Sequence, residues 1–135
     1  MSTAGNMRCG IDFGTSNSAV ALPGGEVLRV DLAAVEPRLF RSVLFYPEGE
    51  RSVFAGAAAV EEYLAHGEGR FIQSVKAWLP SATFTATQIR NRTMKLEELV
   101  AAILRRIREA GELACGGPLV DVVLGRPARF AQEPE

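Results

Sequence analysis

Apolar and polar residues alternate along the first thirty positions in a pattern that predicts short strands joined by tight turns. A first strand begins near Met7 and runs to Asp12, and a second covers residues 18–22. The turn cluster Pro23-Gly24-Gly25-Glu26 follows, and residues 27–30 return as another strand. The chain is therefore predicted to begin with three strands connected by hairpins.

In the middle of the chain, the spacing of apolar residues changes from the alternation of a strand to the spacing of a helix. Residues 42–46 and 52–55 are short apolar runs around a Pro-Glu-Gly-Glu turn, which predicts another hairpin. Residues 57–66 are alanine-rich and are followed by Gly67, which predicts a small helix. Residues 83–87 are interpreted as an edge strand.

The clearest helical pattern lies in the last third. Apolar residues recur at helical spacing between Leu96 and Ala110, with Arg105 and Arg106 on the opposite face. Gly116-Gly117-Pro118 ends this helix, and residues 119–124 are predicted to return as a buried strand that joins the first strands in parallel. This order of elements predicts an α/β fold.

Composition and charge narrow the function classes. The chain has 135 residues and a net charge of −1, without a run of like charges, so we expect no nucleic-acid partner. No apolar run reaches the ~20 residues of a membrane span and no signal peptide is visible, so we expect no membrane partner and a cytoplasmic location. Cys9 and Cys115 are interpreted as small hydrophobic residues, and the single histidine, His66, as a residue at a helix end.

The most informative segment is the break between the first two strands, Gly14-Thr15-Ser16-Asn17. Gly14 can adopt backbone angles that a Cβ forbids, so the following amides and hydroxyls can converge on one point, as a phosphate requires. Asp12 lies at the strand end, where a carboxylate can hold a divalent cation through water. The spacing fits neither a Walker loop nor a dinucleotide fingerprint.

The segment Gly10-Ile11-Asp12-Phe13-Gly14-Thr15-Ser16-Asn17-Ser18 resembles the first phosphate loop of the actin-like ATPases, and especially that of the seventy-kilodalton heat-shock chaperones. The resemblance implies ATP and Mg²⁺ as cofactors. It implies binding by Asp12, Gly14, Thr15, Ser16 and Asn17, with Thr15 also catalytic and Asp12 holding the metal through water. An ordinary hairpin with a polar bend is the alternative interpretation.

A second resemblance lies in Ser74-Val75-Lys76-Ala77-Trp78-Leu79. It is similar to the chaperone segment that carries a catalytic lysine near the transferred phosphate, and this implies that Lys76 orients the attacking water. Many of these chaperones have an arginine after that lysine, where this chain has Ala77. A solvated lysine beside a buried tryptophan is the alternative.

A third resemblance covers residues 122–130, which read Val-Val-Leu-Gly-Arg-Pro-Ala-Arg-Phe. In the chaperones a buried strand enters a proline-containing turn here, and the proline belongs to the switch between nucleotide state and domain arrangement. The Gly-Arg-Pro form is closer to the YegD-like branch. The resemblance implies that Pro127 is an allosteric switch residue, and a simple strand terminator is the alternative.

Together the resemblances imply a ribonuclease-H-like lobe I of an actin-like ATPase, with a mixed sheet, flanking helices and an inserted small α+β subdomain. Residues 1–37 and 92–135 would form the core subdomain and residues 38–91 the insertion. Because the family continues beyond this point with a second phosphate loop and an adenosine-binding lobe, we expect this chain to be the front portion of a longer ATPase and inactive alone.

The function implied for the whole protein is slow ATP hydrolysis by a heat-shock-70-like chaperone. ATP and ADP would be ligands, with client polypeptides or co-chaperones as further partners. Two other classes stay open. A sugar or acetate kinase shares the first phosphate loop, and a filament or scaffold protein of the actin-like group binds nucleotide to control assembly. Sedimentation with and without ATP separates the filament class from a monomeric chaperone.

Overall fold

The computed structural model describes residues 7–74 and 86–125. This part of the chain contains nine strands and two helices, and it is mixed α/β, as the sequence predicts. In chain order the elements are β1 (Met7–Phe13), β2 (Asn17–Ala21), β3 (Phe40–Arg41), β4 (Leu44–Pro47), β5 (Phe54–Ala55), α1 (Ala57–His66), β6 (Gly69–Ile72), β7 (Ala86–Ile89), β8 (Arg92–Lys95), α2 (Leu96–Cys115) and β9 (Leu119–Gly125).

The principal sheet has four strands in the order β3-β2-β1-β9. β1 and β2 are antiparallel, whereas β9 returns beside β1 in parallel, so that Asp12 is opposite Gly125. The predicted parallel return of the late strand is therefore confirmed. Parallel neighbours need a long connection, and here it includes both other sheets and the two helices of the described part.

The prediction of a strand over residues 27–30 is wrong. The chain makes only an isolated bridge between Ala21 and Val27, and the third strand of the sheet is β3. The free edge of β2 is shared, because Asn17 and Ser18 pair with β3 while its other end meets residues 27 and 28. With five residues, β2 is too short for two full partners on one edge.

β4 separates two hydrophobic clusters. It lies between β5 and β6 in an antiparallel sheet, which confirms the predicted hairpin with β5. Successive side chains of a strand point to opposite faces, so Leu44 packs into the main core while Phe45 packs on α1 in a second cluster. Phe45, Tyr63 and Phe71 form an aromatic group with centroids 4.5 to 6.4 Å apart.

Both helices occupy the predicted positions, and local contacts explain their ends. The N–H of Ala57 at the start of α1 donates to Asp31 Oδ2 at 2.8 Å, and the N–H of Lys95 before α2 donates to Glu98 Oε1 at 2.8 Å. Gly67 and Gly116 end the helices in the left-handed conformation, with φ of 80° and 83°. Neither helix in the described ranges is long and apolar enough to cross a membrane.

α2 covers one face of the principal sheet. Its apolar stripe is buried against the strands and belongs to the main core, and its buried residues are Leu96, Leu99, Ile103, Ile107 and Gly111. At Gly111 the fit is close, since a Cβ there would be 2.9 Å from Leu119 Cδ1. The stripe is thus used for packing, as the sequence predicts.

Two predicted strands, at residues 119–124 and 83–87, are confirmed only in part by the structure. The prediction that residues 119–124 are a buried strand is wrong beyond Leu119, because β9 is the last strand of the sheet and its later side chains are exposed. The edge strand predicted at residues 83–87 is described only from Ala86, where β7 begins a hairpin with β8. The proposed boundaries of an inserted subdomain at residues 38 and 91 stay a prediction.

Candidate functional site

The candidate site is the loop of residues 14–16 with Asn17, the first residue of β2. It follows the carboxyl end of β1, and the carboxyl end of the parallel strand β9 lies next to it, where Gly125 is opposite Asp12. Ligands of open α/β sheets characteristically bind beyond the carboxyl ends of parallel strands. The topology thus brings the predicted loop to a position suited to binding.

The turn needs a glycine at position 14 because it leaves no room for a side chain. The φ of Gly14 is not in the positive range, so the unusual backbone angles expected from the sequence are not what makes glycine necessary here. Instead, a Cβ at Gly14 would lie 2.1 Å from the carbonyl oxygen of Asn17, far inside any real contact. Because the backbone fixes the position of a Cβ and the Asn17 oxygen belongs to the main chain, no side-chain rotation could relieve the contact. Any other residue would open the loop.

Two buried hydroxyl groups support the loop from the core side of the sheet. The N–H of Gly14 donates to Ser18 Oγ at 3.2 Å, and Ser18 Oγ is 2.9 Å from Ser42 Oγ. The N–H of Ser42 donates to the carbonyl oxygen of Ser16 at 2.9 Å. Ser18 and Ser42 are the buried polar side chains of the described part of the protein, each 2% exposed. Loop shape is therefore fixed by hydrogen bonds, which a buried hydroxyl must make.

The outer side of the loop is open to solvent. Thr15, Ser16 and Asn17 are exposed, and their side chains make no hydrogen bond with any described residue. Their hydroxyl and amide groups are free to bind an anion, as are main-chain donors that the loop does not use itself. The inner side of the turn is thus held by hydrogen bonds, and its outer side presents polar side chains to solvent.

Asp12 lies on the solvent side of the sheet. It is opposite Ala19 in the β1–β2 register, so Asp12, Ala19 and Asn17 occupy the same face. A depression of about 390 Å³ lies on this face and is lined by small residues around Asp12, including Gly10, Ala19 and Gly125. Val27 and Val123 line the same depression, and a ligand at the loop could reach the carboxylate through it.

Asp12 is the predicted metal ligand. Within residues 7–74 and 86–125, no three His, Cys, Asp or Glu residues are grouped closely enough to hold a metal ion. A single carboxylate fits Mg²⁺, which keeps several waters and often takes its other ligands from substrate phosphates. The residues present therefore fit a water-mediated magnesium contact better than a site enclosed by protein ligands.

Lys76 and Pro127, the predicted catalytic lysine and switch proline, lie outside the described residues. Their roles stay predictions. The five remaining predicted residues, from Asp12 to Asn17, are brought together by the β1–β2 turn.

Sequence reasoning missed the residues that support the loop. Ser18 and Ser42 come from segments 24 positions apart, so their contact could not be predicted without knowing that β3 pairs with β2. A signal was present, because Ser18 occupies an inward-facing position of a strand where the neighbouring inward residue is Val20. A serine in such a position needs a hydrogen-bond partner.

The cysteines and the histidine do not add chemistry to this loop. Cys9 is buried in the main core, and burial, with smaller contributions from Cys115 and Glu112, raises the pKa of the Cys9 thiol above its usual 9.0. His66 Nε2 lies 3.0 Å from Glu62 Oε1, one turn earlier in α1. Cys9 is thus a core residue, and the neighbour of His66 is a carboxylate of its own helix.

No protein-family model matches this chain. The geometry of the loop and the resemblance of its residues are therefore the grounds for a functional proposal.

Proposed function

We propose that the β1–β2 loop binds the phosphate groups of ATP, with Mg²⁺ held by Asp12 through water. The observation that carries the proposal is the construction of the turn: Gly14 has no room for a Cβ, while buried hydroxyls support the loop from inside. A merely polar bend needs neither feature. The exposed groups of Thr15, Ser16 and Asn17 supply the donors that a phosphate requires.

We further propose that the principal sheet belongs to a ribonuclease-H-like lobe of an actin-like ATPase. Antiparallel β1, β2 and β3, followed after a long connection by α2 and the parallel strand β9, are compatible with that fold. The resemblance of residues 10–18 points to the branch that contains the seventy-kilodalton heat-shock chaperones. The proposed activity of the whole protein is slow ATP hydrolysis in a chaperone of this kind.

In this proposal the protein residues position and neutralise the phosphates. Thr15 would orient the γ-phosphate, and Lys76 would hold the water that attacks the γ-phosphorus as ADP leaves. Mg²⁺ would neutralise charge that develops on the phosphate oxygens. The loop by itself encloses little of a nucleotide, so we expect the 135-residue chain to bind ATP no more tightly than about millimolar and not to turn it over.

The experiment that tests the catalytic part is a single-turnover assay of the longer ATPase that we propose contains this chain. Lys76→Ala should lower the rate about 10²-fold or more, because one group that stabilises developing charge contributes about 2.7–4 kcal/mol in comparable sites. Lys95→Ala is the matched control, because it removes the same charge from a lysine that ends β8, outside the loop and the lysine segment. An unchanged rate in Lys76→Ala would remove this lysine from the mechanism.

A further inference from the structure

The residue opposite the loop in the sheet is a cation that the predicted site does not include. Arg41 in β3 is the register partner of Asn17 in β2. The N–H of Ser42 donates to the carbonyl oxygen of Ser16, which makes residues 16 and 42 a hydrogen-bonded pair. Asn17 and Arg41 are then the adjacent non-hydrogen-bonded pair, the kind in which facing side chains come closest.

Arg41 shares the outer face of the sheet with the proposed ligands. Side chains alternate along a strand, so Asn17 and Ala19 face one side while Ser18 and Val20 face the core. Asp12 is opposite Ala19 and therefore lies on the same face as Asn17 and its partner Arg41. A carboxylate and a guanidinium thus occupy one face of the sheet beside the loop.

The guanidinium of Arg41 is free for a ligand. It has no hydrogen bond or ion pair with any residue in the described ranges, although Glu36 and Glu61 line the same 300 Å³ depression as Arg41 and Asn17. Glu36 is instead bound by Arg38, whose N–H and guanidinium both donate to its Oε2 at 3.0 and 3.4 Å. An arginine beside two carboxylates but paired with neither is available to an incoming anion.

We propose that Arg41 is a binding residue of the same site and contacts the phosphate chain from the β3 side, opposite the metal at Asp12. The inference rests on the proposed function of the loop. A guanidinium offers a planar set of donors that can grip two phosphate oxygens at once, which a single ammonium cannot do. The phosphate chain would then lie on the loop amides between two positive charges, the Mg²⁺ ion and Arg41.

The test is a titration of the full 135-residue chain with tripolyphosphate, followed by the NMR signals of the Thr15, Ser16 and Asn17 amides at constant ionic strength. Arg41→Ala should weaken binding about fivefold, near the upper limit for an exposed charge contact, and Arg41→Lys should recover only part of it. Arg51→Ala is the matched control, because it removes the same charge from an exposed arginine that lines a different depression. It should change the affinity less than about twofold.

The outcomes separate this inference from the proposal on which it rests. Equal weakening by Arg41→Ala and Arg51→Ala would overturn the role of Arg41, and the loop site would stand if Gly14→Ala still abolished binding. If tripolyphosphate does not bind, or if it binds equally well to Gly14→Ala, both proposals fail. A selective effect of Arg41, with unchanged thermal unfolding, supports the inference.

Discussion

β1 has a neighbouring strand on each side. The two sides differ in how far their polar groups are paired and their apolar side chains are covered. On the β2 side, the turn between the strands is tied by buried hydroxyls, and the sheet continues into β3. On the other side, β9 is an edge strand whose apolar side chains are largely exposed, with Val123 at 69% and Leu124 at 54%. One side has its polar groups paired, and the other has its apolar groups uncovered.

The comparison distinguishes a feature formed mainly by residues close in sequence from one that needs further contacts to be covered. The loop is formed almost entirely by residues 14–18 and one partner, Ser42, so its shape is established within this chain. β9 has the composition of a strand covered on both faces, yet α2 covers only part of it. Exposed apolar edge strands are sites where another strand or another molecule can pair. The contacts that support the loop are thus present within this chain, whereas β9 is only partly covered.

The largest expected effect follows from closing the space at Gly14. Gly14→Ala places a Cβ 2.1 Å from the carbonyl oxygen of Asn17, so the loop must open and ATP binding should fall at least about 100-fold. Calorimetric titration with Mg-ATP of the longer ATPase that we propose contains this chain measures the loss. Gly10→Ala is the matched control in β1, the strand that leads into the loop, since its Cβ would have only one neighbour, at 3.8 Å.

Circular dichroism of both glycine variants completes this test. We expect both to stay folded, because the strained atoms of Gly14→Ala lie in an exposed turn outside the main core. ATP affinity retained in Gly14→Ala, or lost equally in Gly10→Ala, would show that the turn is structural only.

Ser18→Ala should have the next largest effect. It leaves the N–H of Gly14 and the hydroxyl of Ser42 without their partner, and each unsatisfied buried group costs about 1–3 kcal/mol. The free energy of unfolding in urea should therefore fall by about 2–4 kcal/mol. Ser42→Ala keeps the Gly14–Ser18 hydrogen bond, so its free energy of unfolding should fall by less. If Ser42→Ala were the more destabilising of the two, the order of support described here would be incorrect.

At β9 we expect a change in association and little change in stability. Val123→Lys places a charge on the exposed edge strand, where surface substitutions usually change stability by no more than about 0.5 kcal/mol. Sedimentation over a range of concentrations should show less self-association than in the unchanged chain. Thr93→Lys, an exposed change on β8, is the control, and equal effects of both lysines would mean that β9 is not the associating edge.

The smallest effect concerns alkaline pH. The folded protein raises the pKa of Cys9 above 9.0, so the unfolded chain loses this proton first as pH rises. Stability from this group is complete below pH 9 and falls as pH rises from 9.0 toward the raised folded value. Urea unfolding at pH 8 and pH 10 measures the change, and Cys9→Ala should reduce it. An identical pH response in that variant would assign the loss to other groups.

Local patterns predicted the elements well, and long-range pairing explains the failures. The bounds of α1 follow from its alanine-rich run and Gly67, and those of α2 from its apolar spacing and Gly116. The third strand was misplaced because the choice between residues 27–30 and β3 depends on how β2 divides its edge. Exposure of β9 was missed because periodicity cannot distinguish an inner strand from an edge.

The site shows the same division. The sequence alone indicates the proposed loop residues, because they are contiguous and their types suit a phosphate. The reason for Gly14 could not, since the clash with Asn17 depends on the closed shape of the turn. Arg41 was not predicted either, because its position opposite Asn17 exists only through the β2–β3 register.

The most direct test of the central claim is an NMR titration of the 135-residue chain with Mg-ATP, in which every amide is observed. We predict saturable shifts centred on Thr15, Ser16 and Asn17, with an affinity of about millimolar or weaker and no phosphate release. The same titration without Mg²⁺ should give smaller shifts at Asp12. Shifts that leave residues 14–17 unchanged, or micromolar binding with hydrolysis by this chain, would contradict the account.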